Sequence, residues 1–242
     1  LFGRLRVEHW NHGERHGRAA ARAMLGDDTP YDYVHSFWSD QYEHLVEYVL
    51  TATGLGLDAV SVNDHMVFGV PWLGGPTALE AVVSCSGDER LFTTVANPVV
   101  RGAAALAKVL AGLDVLSSGR VTAGLGPGSS GRDYATVGVP FEERWPRFDE
   151  AVVAMRALLS GGSFKGRFYA VDGPLEPLPV QPKGPPLWVG SWGSDAGLGR
   201  AVRLGDGWLA SAYNITPEQF GQRWTRVNEL LDELGRAGRQ VD

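Results

Sequence analysis

Four short stretches of this chain hold residue types and spacings that could do chemistry. "VNDH" (Val62–His65) ends an apolar run with a carboxylate beside an imidazole, a pair suited to holding or moving a proton. "TTVAN" (Thr93–Asn97) ends a second apolar run on an amide side chain. "GLGPGSSG" (Gly124–Gly131) and "GSWGSDAG" (Gly190–Gly197) are glycine-rich turns of the kind that offer backbone amides to an anion or let the main chain approach a ligand closely. A further pair, His12 and His16, stands four residues apart with His9 and Glu14 nearby, which is metal-ligand spacing on a helix. Gly13 and Gly17 weaken any helix there and no second ligand set is evident, so a solvated face is expected and no metal site.

Each stretch also has a plainer reading. Asp64 either works with His65 or caps the helix that follows, with His65 only packing. Gly126, Gly128 and Gly131 satisfy the spacing G-x-G-x-x-G after a strand, a dinucleotide-binding pattern. The following "RDYATVGVP" carries a glycine, a proline and no helical stripe, so no helix start is expected there to take a pyrophosphate. The amides of Gly190, Ser191, Trp192 and Gly193 either form an anion nest before a short helix or make an ordinary strand-to-helix turn. Ala210 and Ser211, ending the next apolar run, would add donors on the same side.

The elements that must position these residues alternate regularly. Five short apolar runs read as strands: Leu57–Val62, Arg90–Asn97, Arg120–Gly126, Pro186–Ser191 and Asp206–Ser211. Near-continuous apolar character suits parallel strands covered on both faces. Between them lie helices at Ala103–Gly119, from Pro140 through Phe141, Trp145, Phe148, Val152 and Met155, and from an N-cap at Thr216 with Pro217 at its first position and Gln219 closing a capping box. Phe220, Trp224, Val227, Leu231 and Leu234 give that last helix its apolar stripe. Between Ser163 and Gln181 a hairpin and a proline-rich arm interrupt the rhythm. The pattern predicts an α/β fold, either a doubly wound sheet or a (β/α) barrel short of its eight strands.

Before Leu50 the grammar changes to one short helix within Arg18–Asp28 and dense aromatic turn material. The 242 residues carry a net charge of −6, which points to no nucleic-acid or anionic-membrane partner. A single cysteine, Cys85, leaves no disulfide framework and no cysteine zinc site within one chain. No run reads as a membrane span or signal peptide, and a cytoplasmic location is the expectation.

The stretches "GLDAVSVNDH", "TTVANPVVR", "LDVLSSGRVTAGLGPGSSGRDYATVGVPFEERWPRFDEAV", "GRFY", "PLWVGSWG" and "LGDGWLASAYN" together resemble the luciferase-like, flavin-dependent oxidoreductases of the bacterial luciferase superfamily. The resemblance covers residues 50–242 in the family's order. It implies a (β/α)8 barrel of TIM type, here incomplete with its first and last strands missing. FMN or the deazaflavin coenzyme F420 would bind at the barrel's C-terminal mouth, with hydride passing through the ring to or from a small-molecule substrate in a monooxygenase or reductase. It places His65 and Asp64 at the ring as catalytic candidates. It also implies a non-prolyl cis peptide at Thr94–Val95 under the ring, Asn97 at the ring edge, Gly126 and Gly128 where the backbone nears it, and Gly190, Ser191, Trp192, Gly193 and Ser211 around the phosphate. An acid in sugar-oxidising relatives aligns with Ser129, which argues against that substrate class. Pairing as a homodimer, and a flavin reductase or other electron donor as partner, follow from the family alone.

Residues 1–49 instead resemble the C-terminal part of FAD-dependent ferredoxin reductases, on "RVEHW" and "FWSDQY", without the domains that would hold FAD. A join near Val49–Leu50, between a short α+β extension and the partial barrel, is therefore expected. Two alternatives to the flavin enzyme follow: a chimeric fragment without catalysis, and an FAD-dependent reductase module acting through residues 1–49.

Overall fold

A computed structural model describes residues 20–26, 57–69, 72–211 and 213–235. The chain divides into two compact units, Leu1–Asp40 and Gln41–Asp242. In the first, residues 20–24 are helical, inside the stretch where a short helix is expected. His9, His12, Glu14, His16 and the join at Val49–Leu50 lie outside the described residues.

The second unit alternates strands and helices. It runs β1 (Ala59–Val62), α1 (Gly75–Val82), β2 (Arg90–Thr93), α2 (Pro98–Arg101), α3 (Ala103–Leu116), β3 (Val121–Leu125), α4 (Gly131–Thr136), a 3-10 turn (Phe141–Glu143) and α5 (Arg144–Leu159). It continues through β4 (Phe164–Lys165), β5 (Ala170–Val171), β6 (Leu187–Ser191), α6 (Asp195–Leu204), β7 (Gly207–Ala210) and α7 (Pro217–Glu233). All five expected strands form, and they make one parallel sheet in the order β1-β2-β3-β6-β7. The interruption is a small antiparallel hairpin of β4 and β5. Sequential strands joined by helices and added in one direction are the wall of a (β/α) barrel. Among the described residues the wall stays open, because β1 and β7 each pair on one side only.

Burial explains why these runs are strands. All five residues of β3 are buried, as a central strand between two covered faces requires. Leu106, Leu110 and Leu113 of α3 and Phe148, Val152, Met155 and Leu158 of α5 pack outside the sheet in one core with Leu91, Val121, Leu125 and Leu187. No helix among the described residues is long and apolar enough to cross a membrane.

The structure corrects three readings. A helix does follow the glycine-rich turn: α4 starts at Gly131, with the Ser130 side chain accepting the Asp133 amide. It has six residues and buries only Asp133 and Tyr134, so it shows no stripe. Trp145 leaves the buried face of α5; it is exposed, and the Arg200 guanidinium lies 4.4 Å from its ring centroid. In α7 only Val227 and Leu231 are buried, while Phe220, Trp224 and Leu234 are exposed. That helix borders the open β7 side of the wall, where a full stripe finds no core to cover. The capping box of Thr216 and Gln219 forms as expected.

Candidate active site

Parallel strands deliver their C-terminal ends to one edge of a sheet, and every candidate except those on residues 1–49 follows such an end. Asn63, Asp64 and His65 leave β1, Thr94 and Val95 leave β2, Gly126 leaves β3, Ser191 ends β6 and Ser211 follows β7. The topology alone therefore gathers what the sequence scatters between Asn63 and Ser211, as barrel sites require.

His65 is held from one side. Its Nδ1 lies 3.0 Å from Oδ2 of Asp133, whose other oxygen accepts the backbone amides of Met66 at 3.2 Å and Val67 at 2.9 Å. An ionised carboxylate only accepts, so a hydrogen bond across this contact requires the proton on Nδ1. Among the described residues Nε2 has no hydrogen-bond partner. Phe68 stacks on the imidazole with ring centroids 4.7 Å apart, and Trp72 meets it edge-on at 6.1 Å. His65 thus sits against two aromatic rings, one stacked on it and one at right angles to it.

Asp64 has a different task. Its side chain is 3% exposed, accepts the Gly75 amide at the start of α1 and takes a two-pronged contact from the Arg101 guanidinium. The hydrogen bond to Asp64 raises the Arg101 pKa above its usual range, against the opposing effect of burial. The N-cap position of α1 is Gly74, and the Asp64 carboxylate takes the first helical amide from outside; with both oxygens engaged it fixes the segment that carries His65.

The peptide Thr94–Val95 is cis, as the resemblance implies. The Thr94 hydroxyl donates to Asn63 Oδ1 at 3.1 Å, tying the ends of β1 and β2. The Val95 side chain lies between the ends of β3 and β6. A Cβ on Gly126 would stand 2.6 Å from Val95 Cγ2, and one on Gly190 would stand 2.8 Å from Cγ1. Here both glycines make room for a valine side chain.

Asn97 is turned into the protein. Its Oδ1 accepts the Val99 and Val100 amides to cap α2, and its Nδ2 donates to the Pro127 carbonyl at 2.7 Å. The buried Tyr134 hydroxyl donates to that same carbonyl at 2.6 Å, and burial lifts its pKa above the ordinary range. Gly128, at φ +69°, lies against Asn97 Nδ2. These residues shape the turn after β3, and the Asn97 amide group is already engaged on both sides.

At the end of β6, Ser191 Oγ accepts the Gly193 amide at 3.1 Å, and the Ser191 carbonyl accepts the Trp208 indole N–H at 3.0 Å. The Gly193 amide is therefore taken within the turn, and the Trp192 side chain is 67% exposed. The ten-residue α6 starts here, capped by Ser194. The Arg223 side chain from α7 crosses the turn, its Cγ 3.1 Å from where a Cβ on Gly193, at φ +89°, would stand. Ser211 closes the turn after β7 by accepting from Asn214 through both its carbonyl and its hydroxyl. An aromatic hollow of about 450 Å³ lies beside it, lined by Trp188, Trp208, Leu209, Ala210, Phe220 and Trp224.

The sequence missed Asn63, Arg101, Asp133, Phe68, Trp72 and Arg223. Only Asp133 had a local signal: "SGRD", a Ser with an acid three residues on, is the pattern of a helix start. Among the described residues no cluster of His, Cys, Asp or Glu could hold a metal ion.

The model of one protein family, described as luciferase-like monooxygenase, matches residues 15–242. The chain belongs to that family. Among curated relatives of this luciferase-like chain, the F420-dependent glucose-6-phosphate dehydrogenase of Amycolatopsis mediterranei is 34% identical over 69% of this chain and 53% of its own. The F420-dependent hydroxymycolic acid dehydrogenase of Mycobacterium tuberculosis is 33% identical over 72% of this chain and 50% of its own. The chain thus spans about half the length of these relatives. Among solved structures, monooxygenase RslO1 of Streptomyces bottropensis matches with TM-score 0.71 and 26% identity over 80% of this chain and 60% of that one. An F420-dependent secondary alcohol dehydrogenase, in complex with an F420–acetone adduct, matches in fold with TM-score 0.73 and 21% identity over 84% and 63%. The family is one of F420- or FMN-dependent oxidoreductases with barrel folds.

Two features of this structure fit a flavin-type ring with an anionic tail. One is the Nε2 of His65, without a partner among the described residues, on a ring stacked by Phe68 and met edge-on by Trp72. The other is the start of α6, where the helix dipole and the Arg223 guanidinium favour negative charge, while Asp195 in the same turn is 70% exposed to solvent.

Proposed function

We propose that this chain forms the cofactor-facing wall of an oxidoreductase that works with a deazaflavin at the carboxyl edge of its sheet. Two curated relatives that cover more than two thirds of the chain carry F420-dependence in their names, which favours the deazaflavin over FMN. The ring supplies the hydride chemistry when bound. The chain supplies His65, whose Nε2 accepts or returns a proton at the oxygen of a small-molecule substrate. Phe68 and Trp72 flank the imidazole with apolar rings, Asp64 and Arg101 hold the segment in place, and the start of α6 with Arg223 receives the anionic tail. The observation that carries this reading is His65: one nitrogen anchored, the other presented on the edge where barrel sites form.

A second reading has one observation behind it. With β1 and β7 unpaired on their outer sides among the described residues, the wall alone encloses no cavity around a ring, and a chain that binds no flavin by itself follows. A fluorescence titration with the deazaflavin and FMN in parallel separates the two. Saturable binding of the deazaflavin, weakened at least tenfold in His65→Ala, supports the first. No binding of either by a chain with native circular dichroism establishes the second.

A further inference from the structure

Asp133 is a carboxylate buried to 6% exposure on a helix of six residues, 68 positions away from His65 in sequence. An acid in the first turn suits a helix start, but α4 itself does not require that acid to be buried. Its cap is Ser130, and the Asp133 side chain leaves α4 altogether to reach the segment after β1. There it makes three bonds in a fixed division: Oδ1 takes the amides of Met66 and Val67, and Oδ2 faces His65 Nδ1.

That division has a chemical consequence. Because two amide donors already converge on Oδ1, the carboxylate cannot turn over, and Oδ2 is fixed as an acceptor facing the imidazole. A neutral imidazole carries one ring proton, and an acceptor opposite Nδ1 places it there. The lone pair is then confined to Nε2, the nitrogen without a partner among the described residues. The same carboxylate pins the backbone that leads into Phe68, so ring orientation, tautomer and aromatic wall share one anchor.

We propose that Asp133 is the positioning residue of this site: it holds the neutral His65 as the Nδ1–H tautomer and so makes Nε2 a proton acceptor toward the substrate. This rests on the reading of His65 as the proton-handling group, although the tautomer itself can be measured without cofactor or turnover. It also predicts an inversion. In Asp133→Asn the amides of Met66 and Val67 still require an oxygen, so the carboxamide seats its Oδ1 toward them and turns its NH2 to His65. A donor opposite Nδ1 moves the ring proton to Nε2 and replaces the acceptor by a donor.

The test is 15N-detected histidine NMR of the 242-residue chain, with His65 assigned by its disappearance in His65→Gln. Above the titration range of the ring, the wild-type spectrum is expected to show a protonated-type Nδ1 and a lone-pair-type Nε2. Asp133→Asn is expected to exchange the two patterns, and Asp133→Glu to retain the wild-type one. Deazaflavin-dependent turnover or substrate binding should fall at least tenfold in Asp133→Asn, with no further loss when His65→Ala is added. An Nε2–H tautomer or an even mixture in the wild-type chain overturns the proposal, whatever the variants do. An unchanged tautomer in a folded Asp133→Asn overturns it as well. Failure to bind a deazaflavin with the expected tautomer present refutes the functional reading and leaves the role of Asp133 standing.

Discussion

At the scale of single residues, the site is built by side chains that are already engaged. Asp64, Asn97 and Ser191 each had a plausible ligand role from sequence, and each uses its polar atoms on the protein itself. Their types were legible, because strand ends need caps and turns. The partners of Asp64 and Asn97 were not, because Arg101 and Pro127 lie many positions away and carry no local mark. Val95 shows the same limit from the apolar side. Gly126 and Gly190 announce a close approach, but only the fold shows that the approaching group is Val95. Gly126→Ala would put a methyl group 2.6 Å from Val95 Cγ2, an overpacking that costs about 1–3 kcal/mol. Val95→Ala clears that space, so the glycine substitution should cost distinctly less in the Val95→Ala background. Urea unfolding of the four members of this cycle reads the difference. An equal cost in both backgrounds would show that Val95 is not what Gly126 accommodates.

At the scale of elements, local signals succeeded where a helix or turn is defined by its own ends. Thr216, Pro217 and Gln219 fixed the start of α7, and the hairpin between Ser163 and Gln181 was evident from its turn residues. What holds that hairpin against α5 was not evident. Glu150 Oε1 accepts the amides of Phe168 at 2.7 Å and Tyr169 at 2.8 Å, across the helix–hairpin boundary. Burial pushes the Glu150 pKa up, but the backbone amides of Tyr169, Phe168 and Arg167, with the Arg167 charge, outweigh it and hold the group below its usual 4.5. A carboxyl with a depressed folded value stabilises the fold fully above its unfolded value and loses that contribution as pH falls through the folded one. The hairpin should therefore be firmly docked at neutral pH and loosen as the pH drops below about 4.5, the usual carboxylate value. Amide exchange at Phe168 and Tyr169, compared between neutral and acidic pH, follows this. In Glu150→Gln the pH dependence should vanish and the exchange be fast throughout. Unchanged protection in Glu150→Gln would assign the docking to other contacts.

At the scale of the whole molecule, the sheet sets a gradient of stability that bears on the site. β3 is buried at all five positions, and α3 and α5, packed against each other outside the sheet, close their inner faces with leucine, phenylalanine and methionine. At the two ends of the sheet, β1 fully buries only Val60, and α7, next to β7, buries only Val227 and Leu231. Opening free energies follow buried apolar contact and pairing. In hydrogen exchange, β3, α3 and α5 should be protected to the level of global unfolding, with β1 and α7 exchanging by local opening at much lower cost. The parts that carry His65 and Arg223 are thus the ones with stability still to gain. A ligand that spans the carboxyl edge adds RT ln(1 + [L]/Kd) to whatever it orders, about 2.7 kcal/mol at a hundredfold excess over Kd. The deazaflavin should therefore slow exchange first in residues 63–68, at the start of α6 and along α7, with β3 scarcely changed. Protection confined to the hollow lined by Trp188, Trp208 and Trp224 would place the ligand at the β7 end alone and remove His65 from the reaction. Protection on both flanks at once would mean that the open wall closes its site around the ring.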